Sequence, residues 1–455
     1  MTFATVDPAT GETLATYEDS SRDQVERALC DAHEAYLSWR ELPTAERTAP
    51  LRSLGALLRE RSEQFGRLMT REMGKPLAQA VAEAEKCAWV CEYYAEHAAA
   101  LLAPVPVETD ASRSYYTFRP LGVILGIMPW NFPFWQVIRF AVPTLTAGNA
   151  VLLKHAPGVP QCALALEALF RDAGYPPPLY RNLFVDTDVV AELIRDRRIQ
   201  GVSLTGSVRA GKAVAAHAGA AIKKCVLELG GSDPSVILED ADVHAAVNSC
   251  LLGRMLNTGQ SCIAAKRFVV VRAVLEPFVE ALLARMQTQR MGDPMDPRSD
   301  LGPMARLDLR DTLHDQVTRS VAGGARLLMG GTVPEGPGAW YPPTLLTDVG
   351  PGMPAYEEEL FGPVSAVIPV RDERDAVRVA NDTRFGLGAA VYTANAERGE
   401  RIARDLLEAG NCFVNGIVRS DPRLPFGGIK ESGYGRELSL PGIREFTNVK
   451  TVWIA

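Results

Sequence analysis

The sequence predicts an α/β protein with two doubly wound domains, each a largely parallel sheet covered by helices on both faces. Three observations predict it. From residue 121 onward, short apolar runs alternate with windows of helical periodicity. Strands buried on both faces are apolar throughout, and parallel neighbours need a crossover between them. A second such series starts at residue 234. The length, 455 residues, suits two or three domains.

The elements follow in order. The first hundred residues read as helices. Over residues 22–39, Val25, Ala28, Leu29, Ala32, Ala35, Tyr36 and Trp39 recur at the helical period. Thr44 is the expected N-cap of a second helix, which carries Leu51, Leu54, Leu57 and Leu58 and ends at Gly74. A third spans residues 77–101. Pro104 and Pro106 then force extended chain, and residues 114–118, rich in Tyr and Thr, read as a strand. The first sheet takes the runs 121–128, 150–154, 182–185, 201–204 and 225–229. The second takes 234–238, 267–271, 363–370, 387–393 and 411–415, with a seam near Gly230 and Gly231. The Pro/Gly-rich stretch 333–343 reads as a surface loop.

Composition excludes several classes. With 47% hydrophobic and 23% charged residues the chain is neither disordered nor fibrous. A net charge of −7 argues against a nucleic-acid partner held by a general basic surface. The eight cysteines are scattered and include no CxxC pair, so neither a disulfide scaffold nor a metal site is expected, and a reducing cytoplasm is the expected location. The first residues, Met1 to Pro8, do not read as a signal peptide, and without a run of eighteen apolar residues no membrane association is expected.

Four short stretches carry residues with chemistry. Asn257-Thr-Gly-Gln-Ser-Cys262 follows a helical window over 243–255. A cysteine in such a loop is an exposed, activated nucleophile or, as cysteines commonly are, a buried inert side chain. Glu228 interrupts an apolar strand before two glycines. It is a general base with a raised pKa, or a strand-end residue that swings to solvent. Met128-Pro-Trp-Asn-Phe-Pro133 follows a buried strand, where α/β proteins place ligands. Asn131 is there an oxyanion donor or the first residue of an Asx turn. Thr205-Gly-Ser207 leads from a strand into a helix. Its free amides suit a phosphate, though Ser207 can equally be a plain N-cap, and no GxGxxG fingerprint occurs.

Taken together, in this order, the four stretches resemble the aldehyde dehydrogenase superfamily. The resemblance runs from Asp7-Pro-Ala-Thr-Gly-Glu12, through Glu358-Glu-Leu-Phe-Gly-Pro363, to Pro425-Phe-Gly-Gly-Ile-Lys-Glu-Ser-Gly-Tyr-Gly-Arg436. It implies oxidation of an aldehyde through a thiohemiacetal and a thioester on Cys262, with Asn131 at the oxyanion and Glu228 activating water. It assigns NAD or NADP as cofactor. Gly206 and Ser207 would meet the pyrophosphate, Lys154 the adenosine ribose and Glu359 the nicotinamide ribose. Phe361 and Trp130 would flank the cofactor. It also implies three regions: a cofactor domain (1–105, 121–229 and 424–439), a catalytic domain (230–423), and a small oligomerisation sheet (106–120 and 440–455). That sheet points to a homodimer or homotetramer.

Arg139 lies eight residues after Asn131 in a helical window, so it can face the same channel and clamp a carboxylate. Alternatively it serves a salt bridge. Succinate-semialdehyde dehydrogenases carry an arginine at this spacing, and the stretch Gly416 to Pro425, with Ser420, is similar to a short bacterial branch of them. The expected substrate is therefore a carboxylated aldehyde, succinate semialdehyde first, with a broad aliphatic or betaine-type enzyme as the alternative. A second arginine found six residues before the nucleophile in some relatives is replaced by Leu256. Pro157 stands where many relatives have the residue that discriminates the cofactors, and the expectation leans to NAD, with His155 and Lys154 as phosphate partners should NADP be used.

Overall fold

The computed structural model describes residues 3–455. Its first large sheet has six strands in the order Gly433–Tyr434, Lys224–Glu228, Ile199–Thr205, Val123–Met128, Ala150–His155 and Tyr180–Asn182. All pairs are parallel except the first, where Gly433 pairs antiparallel with Glu228. The second sheet has seven strands: Arg326–Met329, Thr344–Thr347, Val364–Val370, Ala265–Val271, Asp233–Ile237, Gly388–Tyr392 and Asn411–Val414. Only its first pair is antiparallel. The central strands are buried along almost their whole length, which is why they are apolar on both faces. A third, antiparallel sheet joins Thr447–Ile454 to Arg113–Pro120 and then to Val105–Pro106.

The helices Arg22–Trp39, Leu77–Leu101 and Val243–Met255 lie where periodicity placed them. Other expectations need correction. Residues 44–74 form two helices, Thr44–Glu60 and Ser62–Met73, because Arg61 leaves helical geometry at φ −102° and ψ 17°. Thr44 is inside the first of these, after Pro43, and makes no capping bond. Gly74 does end the second, at φ 82°, a left-handed cap. The helical reading of the first hundred residues misses a hairpin, Phe3–Val6 with Thr13–Tyr17. The strand expected at 182–185 lies at Tyr180–Asn182. The edge strand Arg326–Met329 and its inner neighbour Thr344–Thr347 are further elements that the apolar runs do not predict. The loop 333–343 is at the surface only in part. Ala339 and Tyr341 are buried, and Ala339 N–H donates to Pro8 O at 2.8 Å.

Two consequences place the site. In the first sheet the chain order reverses between Val123–Met128 and Ile199–Thr205, so a crevice opens at the carboxyl ends of its strands. Trp130, Asn131, Lys154, Gly206, Ser207 and Glu228 all sit at those ends. Across the crevice the second sheet presents the loop ending in Cys262, between Val243–Met255 and Ala265–Val271. Among the described residues no helix is long and apolar enough to cross a membrane.

Candidate active site

The cysteine loop is held by its backbone. Asn257 (φ 57°) and Thr258 (φ 53°) are consecutive non-glycine residues in the left-handed region, and both are buried. Such backbone persists only where surrounding bonds over-determine it. Here Asn257 N–H donates to Gln79 Oε1 at 2.7 Å, and its Nδ2 donates to Asn131 O at 2.8 Å and Gln260 O at 3.0 Å. The buried Arg254 guanidinium donates to the carbonyls of Gly259, Leu360 and Gly362. Lys266 Nζ donates to Ser261 O at 2.8 Å and Cys262 O at 2.7 Å. Cys262 emerges half-buried into a cavity of about 350 Å³. Burial pushes its thiol up to about 12, against the opposing pull of Lys266 and Arg139.

Glu228 ends its strand 3% exposed, and neither carboxylate oxygen has a hydrogen-bond partner among the described residues. It is therefore not a residue that swings to solvent. Burial holds its carboxyl well above the usual range, with Glu437 adding to the shift and Arg139 and Arg436 opposing it. A buried acid whose pKa is raised in this way is suited to trading a proton with water. Asn131, also buried, donates from Nδ2 to Gln260 O at 3.1 Å, which aims its amide along the cysteine loop. Gly231 must lack a side chain: a Cβ there would come within 2.7 Å of Cys262 O, and one at Gly230 within 2.2 Å of Glu359 Oε2.

The residues expected at the cofactor also gather. Phe361 meets Trp130 edge-on, centroids 5.8 Å apart. Glu359 accepts from Gly231 N–H at 3.1 Å and pairs with Lys266 at 3.2 Å. Ser207 caps the helix Val208–Ala220, accepting from Ala210 N–H at 3.3 Å, and Gly206 precedes it with nothing but Leu204 Cδ2 near its Cα face. Lys154 is buried with no carboxylate partner among the described residues, its ammonium 5.9 Å from the Phe3 ring centroid. A buried cation without an acid suits a phosphorylated ribose, and the free amides of a helix N-terminus suit a pyrophosphate. His155 does not serve a phosphate. Its Nε2 bonds Pro133 O at 2.9 Å, its Nδ1 accepts from Ala156 N–H, and burial lowers its pKa to about 4.

The expected substrate residues are both in the cavity, but not as drawn. Arg139 is 2% exposed, lies over the Phe426 ring at 4.7 Å, and forms an ion pair with the Glu437 carboxylate. One side of its guanidinium is therefore partnered by Glu437, while Nη2 has no hydrogen-bond partner among the described residues. Ser420 Oγ accepts from Lys86 Nζ at 2.7 Å. Leu256 lines the same wall. Lys86, Lys266 and Glu437 escaped sequence reasoning. The one readable signal was the charged pair Lys266-Arg267 at the start of an otherwise apolar strand.

Comparison with known proteins agrees with this geometry. The model of the aldehyde dehydrogenase family matches residues 1–452. The succinate semialdehyde dehydrogenase Sad of Escherichia coli (strain K12), named for NAD(P)+, is 49% identical over 448 residues, 98% of this chain and 97% of that protein. A probable succinate-semialdehyde dehydrogenase of Synechocystis, named for NADP+, is 50% identical over the whole of both chains. Among solved structures, the succinic semialdehyde dehydrogenase of Streptococcus pyogenes in complex with NADP+ superposes with a TM-score of 0.97 at 38% identity, covering 99% of each chain.

Proposed function

The chain belongs to the aldehyde dehydrogenase family, and from that premise we propose that it oxidises succinate semialdehyde, or a close ω-carboxylated aldehyde, to the acid with NADP or NAD. One observation carries the substrate class. The cavity that holds Cys262 is lined by Lys75, Lys86, Arg139 and Arg419 against a single carboxylate, Glu83. A chain of net charge −7 has thus concentrated cations at its nucleophile. An anionic tail is attracted there, whereas the cationic tail of a betaine-type aldehyde meets like charge.

The residues divide the work as follows. The Cys262 thiol gives its proton to solvent and the Sγ thiolate attacks the aldehyde carbon, forming a C–S bond as the carbonyl π pair moves to oxygen and gives the thiohemiacetal oxyanion. The Asn131 amide and the Cys262 backbone N–H receive the developing oxyanion. NADP or NAD, when bound, supplies the acceptor for the hydride that leaves this carbon. Glu228 then takes a proton from water as the water oxygen attacks the thioester, and the C–S bond breaks to release the acid and return Cys262. Lys154, Gly206, Ser207, Glu359, Trp130 and Phe361 are the residues that would hold the cofactor.

The lean to NAD finds no support in the two semialdehyde dehydrogenases about half identical to this chain, which are named for NAD(P)+ and NADP+. Pro157 places no carboxylate beside Lys154, so nothing at that position repels a 2′-phosphate. A panel of aldehydes with both cofactors is the test. Succinate semialdehyde should exceed butanal in kcat/KM by about 100-fold, as expected for one charge-assisted contact, and NADP should support turnover. Equal use of the two aldehydes would sink the substrate reading; turnover with NAD alone would sink the cofactor reading.

The free thiols of all eight cysteines suit a reducing cytoplasm. The strand Thr447–Ile454 pairs on one side only, with Val449, Trp453 and Ile454 exposed. An unprotected edge of that length is ordinarily covered, and we infer a homodimer or homotetramer. Light scattering should give a multiple of the 49.4 kDa chain mass; a monomer at micromolar concentration would refute it.

A further inference from the structure

Lys266 is the second residue of the strand Ala265–Val271, just after the loop that ends in Cys262. It is out of register there. Ala265 faces Asp233 and Arg267 faces Pro234, so Lys266 is the extra residue of a bulge. A bulge re-aims the side chain that it carries. Arg267 reaches the carbonyls of Ser232, Val379 and Ala380. Lys266 instead turns back on the loop before it. Its side chain is 1% exposed, donates to Ser261 O at 2.8 Å and Cys262 O at 2.7 Å, and stands 3.2 Å from Glu359 Oε1. An ammonium has three donors, and these three oxygens take them all. Asp233, a second buried acid, acts on it through space.

We propose that Lys266 is a positioning residue for the nucleophile: it pins the backbone of Cys262, supplies the positive charge that favours its thiolate, and has that charge metered by its ion pair with Glu359. This rests on the reading of Cys262 as the nucleophile and is independent of which aldehyde is used.

Burial works against the thiolate, and the charged groups facing it take sides. Lys266 and Arg139 favour it, Glu359 and Glu228 oppose it, and Lys266 acts most strongly among them. The ammonium is withdrawn from solvent, so salt screens its field little. The two members of the ion pair therefore act on the thiol with opposite sign. Neutralising Lys266 disfavours the thiolate. Neutralising Glu359 leaves the ammonium unopposed and favours it. A mere loosening of the loop would move both variants in the same direction.

The experiment is alkylation of the full-length enzyme by iodoacetamide near pH 8, without added cofactor, followed by mass spectrometry of the Cys262 peptide. The thiolate displaces iodide, so the rate follows the thiolate fraction. Lys266→Met and Lys266→Gln should alkylate about tenfold more slowly than wild type, and Glu359→Gln about tenfold faster, the scale of one nearby charge removed. Lys266→Arg keeps the charge and should stay within about threefold of wild type. Cys30, half-buried on the helix Arg22–Trp39, is the internal reference and should not change. The proposal is overturned if both neutral Lys266 variants alkylate at the wild-type rate, or if Glu359→Gln is unchanged or slower. Should the Lys266 variants fail to fold, Glu359→Gln decides by itself. A wild type that still turns over aldehyde after complete alkylation of Cys262 removes the nucleophile reading instead, before any variant is compared.

Discussion

Cys262→Ala is expected to lose about 10⁴-fold or more in kcat with every aldehyde, the scale set by removing a covalent nucleophile. The variant should nevertheless fold. The loop around residue 262 is held by Arg254, Lys266 and the Asn257 amide, all of which bind carbonyls, and none of them bonds the thiol. Removing one sulfur from a half-buried position costs little packing, so the thermal midpoint should stay within about 3 °C of wild type. Cofactor binding should survive as well, and fluorescence titration with NADPH measures it. An alanine variant that kept a hundredth of wild-type turnover would show that the thiol is not the nucleophile.

The second large effect belongs to Glu228. In Glu228→Gln, kcat should fall about 10³-fold, within the range for loss of a general base. The first half of the reaction does not use this carboxyl, so one equivalent of reduced cofactor per site should still appear in a burst. The acylated enzyme should then accumulate and be visible as added mass on Cys262. Stability should move the other way. A carboxyl whose folded pKa lies above its unfolded value favours the protonated form on folding. It therefore detracts from stability once pH exceeds the unfolded value near 4.5, and the penalty grows toward its raised folded value. Glutamine removes that penalty, so at pH 8 the variant should melt no lower than wild type. A variant that lost the burst together with steady-state turnover would place Glu228 in the first chemical step.

Much of this was readable from residue order because apolar runs report burial directly. Val123–Met128, Ala150–His155 and Val364–Val370 are short, largely apolar runs in series, the pattern of strands covered on both faces. The half-exposed elements were harder. Arg326–Met329 lies at a sheet edge, exposed or partly so at each residue, and has no full period to show. The split at Arg61 leaves the hydrophobic pattern on both sides almost in phase, so periodicity alone runs through it. At the site, Cys262, Asn131 and Glu228 stood out because each lies in a distinctive local stretch. Lys86 and Glu437 did not, since a single charge on a helix or in a loop looks like a solvated one until its neighbours in space are known. Arg139 shows the limit best. Its spacing from Asn131 put it in the right cavity, but the partner that takes up its charge lies almost three hundred residues downstream.

Glu228 shares that dependence on distant chain. Its strand is flanked on the outer side only by Gly433–Tyr434, and Ser432 Oγ donates to Gly230 O at 2.7 Å just beyond it. A chain emerging from the ribosome can therefore complete the inner strands of the first sheet and still leave the Glu228 carboxyl on an open edge. Closure waits for about two hundred further residues, including the whole second sheet, and contacts so far apart form late and slowly. The sheet that carries Glu228 is thus completed only when almost the whole chain has been made.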